Sequence, residues 1–346
     1  MTRFGVTAKN PAMGTDTAST PPAPPLAAGV RIGWADLPEP VRGWVETTLG
    51  SPVRSSVSQV GGFSPGVAAR LVTADGSRAF VKAVGAGLNE DSVGLHRREL
   101  AAMSALPRMR RAPELIAGYD RDGWAALLMQ DVAGHKPALP WVPAELAQVL
   151  NAVTEVSARL TPCPWPAAPA TTDFLTAAFV HWRAMAGQPP ADLDPYWLSR
   201  LDELAALELA AADAGRGESM IHLDVRSDNV LITPRDGAVL VDWAWGSRGA
   251  PWLDVVILLI NVSQYGPHTP AELDDIVAAH PLTRAVDPWL ITLIVLGMTG
   301  LLESRGRAEP PPGLPTIRTW QRHAALGAGR WLRHRLAERH FGLKRG

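Results

Sequence analysis

The chain has 346 residues, 47% of them apolar, with 33 Lys+Arg balanced by 34 Asp+Glu for a formal net charge of −1. That length is enough for two lobes with real cores, and the balanced charge supplies no molecule-wide positive field to condense the protein onto nucleic acid or anionic lipid, so neither partner is expected. The single cysteine, Cys163, excludes an internal disulfide framework and fits a reducing cytoplasm, the expected location.

Residues 1–30 run through Thr15-Asp16-Thr17-Ala18-Ser19-Thr20 into Pro21-Pro22-Ala23-Pro24-Pro25. They hold too few bulky side chains to offset the entropy of ordering and are expected to form a disordered tail, with Met13 an alternative start. No basic flank leads into an apolar segment and a small-residue cleavage site, so no secretory signal is expected. From residue 57 a β-rich run meets Gly61-Gly62-Phe63-Ser64-Pro65-Gly66, and strands are predicted over 67–73 and 79–84 around a turn at Asp75-Gly76. Val93, Leu95, Leu100, Met103 and Leu106 are spaced for one face of a helix over 92–106, stopped by Pro107, and another strand is predicted over 124–129. Helices are predicted over 143–160, 174–186 and 195–214, with a proline-rich connector at 161–169. The apolar stretch 290–302, interrupted by Thr292, Gly297 and Thr299, is shorter than the roughly 20 residues that cross a bilayer; it reads as a buried helix, and no membrane partner is expected. Pro310-Pro311-Pro312 breaks the last region before a helix predicted from 318 towards 339.

The stretch that carries chemistry is Ile221-His222-Leu223-Asp224-Val225-Arg226-Ser227-Asp228-Asn229-Val230-Leu231-Ile232, then a turn at Thr233-Pro234-Arg235-Asp236-Gly237, then Val239-Leu240-Val241-Asp242-Trp243. Two apolar strands joined by a polar turn place Asn229 and Asp242 at the same end of a hairpin, with Asp224 on the loop before it. Two carboxylates and an amide oxygen are hard ligands suited to Mg2+, which usually arrives with substrate phosphates.

This His-x-Asp-x-x-x-x-Asn motif and its apolar-Asp-Trp strand resemble the catalytic core of the aminoglycoside-phosphotransferase-like small-molecule kinases, the APH and choline-kinase type, which are relatives of the protein kinases. The resemblance continues upstream in register, with Gly61-Gly62-Phe63-Ser64 as the nucleotide loop, Lys82 in Phe80-Val81-Lys82-Ala83-Val84, and Glu99 in Arg97-Arg98-Glu99-Leu100. It implies an α+β, two-lobed protein-kinase-like fold, with a β-rich nucleotide-binding N-lobe over 31–131 and a mostly helical C-lobe over 132–346. It also implies transfer of the γ-phosphate of ATP, or of GTP, to a hydroxyl of a small molecule such as an antibiotic, sugar or amino alcohol, with Mg2+ required. By the same resemblance Asp224 orients the acceptor hydroxyl and takes its proton, Asn229 and Asp242 hold Mg2+, and Lys82 contacts the α/β-phosphates, steadied by an ion pair with Glu99. Gly61, Gly62 and Ser64 would cradle phosphate, and the Gln130 carbonyl and Val132 amide would meet the adenine. The loop departs from the Gly-x-Gly-x-x-Gly spacing of protein kinases, and an ordinary hairpin turn explains the same glycines.

Around this core His222 is expected to organise the loop, Asp254 to brace it, and Asp228 to be solvated. Arg226 is expected either to neutralise charge near the transferred phosphate or to bind a neighbouring carboxylate. Of Trp243, Trp245 and Trp252, most are expected to pack in the core. A polycationic aminoglycoside needs acidic pocket walls, for which Glu272, Asp274, Asp275 and Glu303 are the candidates. The arginines from Arg318 to Arg345 are expected to form a solvated helix face. Two other readings compete. One is a catalytically silent kinase-like module that binds nucleotide or a partner; the other is a metallohydrolase using His222, Asp224 and Asp242, for which the completing His-x-His or His-Glu-x-x-His spacing is missing.

Overall fold

A computed structural model describes residues 31–59 and 65–342. The tail expected over 1–30 and the glycine-loop residues Gly61, Gly62, Phe63 and Ser64 lie outside the described residues. The N-lobe begins with helix α1 (Glu39–Leu49), which ends on Gly50 at φ +72°, a left-handed turn that glycine enters without steric cost. Strands β1 (Val53–Ser58), β2 (Val67–Thr73) and β3 (Arg78–Gly85) follow, then helix α2 (Glu90–Ala105), then strands β4 (Leu115–Arg121) and β5 (Trp124–Met129). The five strands form one antiparallel sheet in the order β1-β2-β3-β5-β4.

Alternation along β3 sorts its side chains between two faces. Ala79, Val81 and Ala83 pack with Val41 and Val45 of α1, whereas Val84 meets Val93 of α2 on the other side and Lys82 points the same way. Asn89 caps α2 by accepting a hydrogen bond from the Ser92 amide at 2.8 Å.

The C-lobe contains helices α3 (Pro143–Arg159), α4 (Thr171–Ala178), α5 (His181–Gly187), α6 (Pro195–Leu198) and α7 (Leu201–Ala211), followed by short strands β6 (Ser219–Ile221), β7 (Val230–Thr233), β8 (Gly237–Leu240) and β9 (Ser247–Gly249). Helices α8 (Leu253–Tyr265), α9 (Pro270–Ala279), α10 (Pro288–Arg305) and α11 (Ile317–Gly342) complete it. Strand β6 pairs with β9 and β7 with β8, both antiparallel. Every residue of α8 from Leu253 to Gln264 is buried, so this helix is enclosed on all sides rather than presenting a single apolar stripe. Helix α10 is likewise central, which settles the 290–302 stretch as a core helix; among the described residues no helix is long and apolar enough to cross a membrane. The whole is the α+β, two-lobed arrangement expected, with a β-rich N-lobe and a mostly helical C-lobe.

Four parts of the chain depart from expectation. Helix α1 was not anticipated, because Pro40, Gly43, Thr47 and Thr48 blur its helical pattern; it forms because Val41 and Val45 cover the sheet. Edge strand β4 shows little alternation, with Tyr119 its one buried residue. The helix expected over 174–186 is two, α4 and α5, with a break at Phe179 and Val180. The buried Glu208 carboxylate of α7 accepts from the amides of His181, Trp182 and Arg183, and so satisfies the first turn of α5 as a separate helix. The helix expected over 195–214 is also two, α6 and α7, with a break at Ser199 and Arg200.

Candidate active site

The β7–β8 hairpin brings the two proposed metal ligands together. Val230 faces Leu240, and the Val241 amide donates to the Asn229 carbonyl at 2.9 Å, so Asn229 and Asp242 leave the hairpin at the same end. On the loop before it, the Asn229 side-chain Nδ2 donates to Asp224 Oδ2 at 2.8 Å and to the Asp224 carbonyl at 3.0 Å. With its nitrogen committed to Asp224, the Asn229 amide leaves its oxygen to the cleft.

The N-lobe supplies the cation. Lys82 Nζ lies 2.5 Å from Glu99 Oε2 on α2 and 3.3 Å from Asp242 Oδ1, so one buried ammonium bridges the lobes. Burial opposes the charge on Lys82, but the carboxylates of Asp242 and Glu99 outweigh it and hold the ammonium above its ordinary range. Burial likewise opposes ionisation of Asp242, and Lys82 overcomes it, holding this carboxyl below the usual range. Glu99, deeper still, is pushed up by burial to about 7 against the pull of Lys82. Of the two carboxyls on Lys82, Asp242 is thus the one whose charged form the site favours.

Two non-glycine residues in the site occupy the left-handed region, Leu223 at φ +59° and Asp242 at φ +65°. Aspartate tolerates that conformation; a leucine does so only when its surroundings impose it. Buried Asp254 on α8 imposes it, accepting from the His222 amide at 2.9 Å and the Leu223 amide at 2.7 Å. Asp254 is the brace that its position implied, and burial raises it to about 6 against those two donors. His222 is buried among loop atoms. Its Nδ1 accepts from the Asp224 amide at 3.2 Å, so the proton sits on Nε2, which donates to the Val241 carbonyl at 2.9 Å. Burial lowers His222 to about 4, so the ring is neutral and serves as a strut between loop and hairpin. From the other side Asn261 of α8 accepts from the Ser227 amide at 3.1 Å.

Asp224 remains accessible, with 19% of its side chain exposed. Burial raises it to about 7, against the pull of Arg226, whose Nη1 lies 3.3 Å from Asp224 Oδ1. Arg226 takes the second of its two expected roles: it also holds Asp228 through Nε and Nη2 at 3.1 Å each and stacks on Trp320 at 5.0 Å. Asp228 is accordingly not a solvated loop residue, which corrects the expectation; it is tied to the loop by a forked guanidinium pair.

Lys82, Glu99, Asn229 and Asp242 line one cavity of about 170 Å³ between the lobes, and Gln130 and Val132 line its far end. The wall near Gln130 is apolar, built by Ala68, Phe80, Met129 and Leu231, and the opposite end is charged. Arg31, which sequence reasoning passed over, lies at that charged end. No motif marks it; it arrives because Ile32 donates to the Gly66 carbonyl at 3.3 Å and fastens the segment beside the cleft. The oxygens of Asn229 and Asp242 fit Mg2+ by donor chemistry. Among the described residues no group of three or more His, Cys, Asp or Glu forms a self-contained metal cage, so the remaining ligands would come from phosphate and water.

The acidic wall proposed from sequence does not form. Asp274 pairs with Arg335 and accepts from Trp331 Nε1 at 2.9 Å, Glu303 pairs with Arg307 at 2.6 Å, and Glu272 caps α9. Of the three tryptophans, Trp243 and Trp252 are core residues, whereas Trp245 is 38% exposed beside Asp224.

The family model described as "Phosphotransferase enzyme family" matches residues 61–289. No curated protein matches the chain in sequence. Solved structures share the fold at low identity. An aminoglycoside phosphotransferase from Alicyclobacillus acidocaldarius is 15% identical with a TM-score of 0.51, covering 83% of this chain and 92% of that one. The choline kinase LicA from Streptococcus pneumoniae is 17% identical with a TM-score of 0.53, covering 84% and 98%. A thermostable mutant of the aminoglycoside phosphotransferase APH(4)-Ia, in ternary complex with ADP and hygromycin B, is 14% identical with a TM-score of 0.54, covering 84% and 96%.

Proposed function

The chain belongs to the phosphotransferase enzyme family, and from that premise we propose that it moves the γ-phosphate of ATP to a hydroxyl of a small molecule with the help of Mg2+. The observation that carries this reading is the convergence of Lys82, Glu99, Asn229 and Asp242, from four separate stretches of chain, on one interlobe cleft, with Asp224 tied to Asn229 beside it. We take 31–131 as the nucleotide-binding lobe and 132–346 as the lobe carrying the catalytic loop and acceptor site.

In this mechanism the apolar end of the cleft takes the base, with the Gln130 carbonyl and Val132 amide at its edge, and Gly61, Gly62 and Ser64 cover the phosphates. Lys82 neutralises charge on the α/β-phosphates, held in place by Glu99, and Arg31 adds positive charge at the same end. Mg2+, held through Asn229 and Asp242, would neutralise the phosphate oxygens. Asp224 aligns the acceptor hydroxyl and accepts its proton while the acceptor oxygen bonds to the γ-phosphorus and the bond to the bridging oxygen breaks, releasing ADP. A carboxyl raised towards neutrality binds that proton more readily than an ordinary aspartate. The test is ADP release and phosphorylated product from purified protein given ATP, Mg2+ and a panel of hydroxylated compounds. Acceptor-dependent turnover is expected; nucleotide binding without it would support the silent-module reading instead.

A further inference from the structure

Asp224 lines a second cavity, of about 230 Å³. Its wall is built by Phe174, Trp245, Ile257, Met298, Leu302 and Trp320. An enclosed engineered cavity of about 150 Å³ holds benzene, so this open pocket has room for at least a body of one or two rings. Trp245 and Phe174 meet edge to face at 5.8 Å and share a stacked guanidinium, Arg98, at 4.5 and 4.4 Å, which stiffens that side of the wall.

Asp224, Arg226, Asn261, Gln264, Arg305 and Gln321 are the polar side chains of the wall, and the Asn261 Nδ2 is buried with no hydrogen-bond partner among the described residues. Asp224 is its one carboxylate among the described residues, and Arg226 and Asn229 already engage it. Buried Gln264 presents an Oε1 with no hydrogen-bond partner among the described residues, an acceptor that suits a hydroxyl donor. Arg305 stands at the mouth, and the charged group that acts on it is another arginine, Arg318. Of the acidic candidates, Asp274, Glu303 and Glu272 are spent on Arg335, Arg307 and a helix cap, and exposed Asp275 is not part of this wall.

Resting on the phosphotransferase reading above, we propose that the acceptor is an alcohol or phenol on an apolar body of one or two rings that also carries a carboxylate, with its hydroxyl at Asp224 and its carboxylate at Arg305. A polycationic aminoglycoside meets positive charge and apolar wall where it needs acid, and desolvating its ammonium groups there has no compensation.

A hydroxymethylbenzoic acid, its methyl ester and kanamycin serve as probes on the full chain, with binding read by thermal shift and transfer by mass spectrometry. The acid is expected to stabilise the protein and to be phosphorylated with kcat/KM at least tenfold above the ester and kanamycin. Arg305→Glu is expected to cut the acid-to-ester ratio of kcat/KM about tenfold, and Arg305→Lys to restore most of it. Kanamycin turned over faster than the acid, or an acid-to-ester ratio insensitive to Arg305→Glu, overturns this inference and leaves phosphotransfer standing. Acid binding that depends on Arg305 without any phosphorylated product keeps the pocket chemistry and removes the phosphotransferase reading. A protein that no acid stabilises has no such pocket.

Discussion

Asp224→Asn keeps the volume of the side chain and removes its basicity, so turnover should fall by about 10³-fold while the ATP dissociation constant changes by less than about fivefold. Steady-state ADP release and calorimetric nucleotide binding check this, and wild-type turnover in the variant would remove Asp224 from its role. The buried histidines bear on pH. His222 and His96 are both lowered to about 4 by burial, so each stays neutral in the folded state while the unfolded chain takes up protons near 6.5. Stability from these groups is thus complete above about pH 6.5 and lost as pH falls towards 4, at roughly 2 kcal/mol apiece between pH 7 and pH 5. Both imidazoles should read as neutral at pH 5.5 in side-chain NMR; a ring titrating near 6.5 would contradict the packing described. Asp224, Asn229 and Asp242 were legible because their spacing lies within one short stretch. Arg31, and the ties of Arg226 and Asp228, were not, because no local pattern separates a paired charge from a solvated one.

Among the elements, the catalytic loop and α8 form one unit through Asp254. Asp254→Asn turns one acceptor oxygen into a donor facing a backbone amide, and should cost about 1–3 kcal/mol in urea denaturation and lower kcat as well, since Leu223 then loses the support for its left-handed conformation. Helix α10 gives a sharper contest. Gly297→Ala gains about 1 kcal/mol of helix propensity, but a Cβ there would sit 2.5 Å from Cδ2 of the buried Phe179 ring. Overpacking of about 1–3 kcal/mol wins, so the variant should be less stable than wild type by urea denaturation, and a more stable one would refute the tight contact between α10 and Phe179 at the α4–α5 break. Elements with clean periodicity were readable, β2 and β5 at their observed bounds. The break between α4 and α5 was not, because the carboxylate that completes the first turn of α5 comes from Glu208, 26 residues beyond Trp182.

For the whole molecule, the proposed nucleotide cleft lies where the lobes meet, with Lys82 and Glu99 from one and Asn229 and Asp242 from the other. ATP with Mg2+ at 100 times its dissociation constant should therefore add about 2.7 kcal/mol to stability and raise Tm. Chelation with EDTA should remove much of that gain, and Asp242→Ala should remove the Mg2+-dependent part; a shift indifferent to both would move the metal elsewhere. By itself the sequence determined most of the strands and helices and the grouping of Asp224, Asn229 and Asp242, since alternation, helical spacing and the 222–242 motif are local properties of contiguous chain. Tertiary structure alone decided that Lys82 meets Glu99 and Asp242 together, that Arg226 is paired, that Asp274 and Glu303 are taken up by arginines, and that the cavity beside Asp224 is walled by Phe174, Trp245 and Trp320. Charge pairing and burial depend on which surfaces are pressed together, and those surfaces are built by residues far apart along the chain.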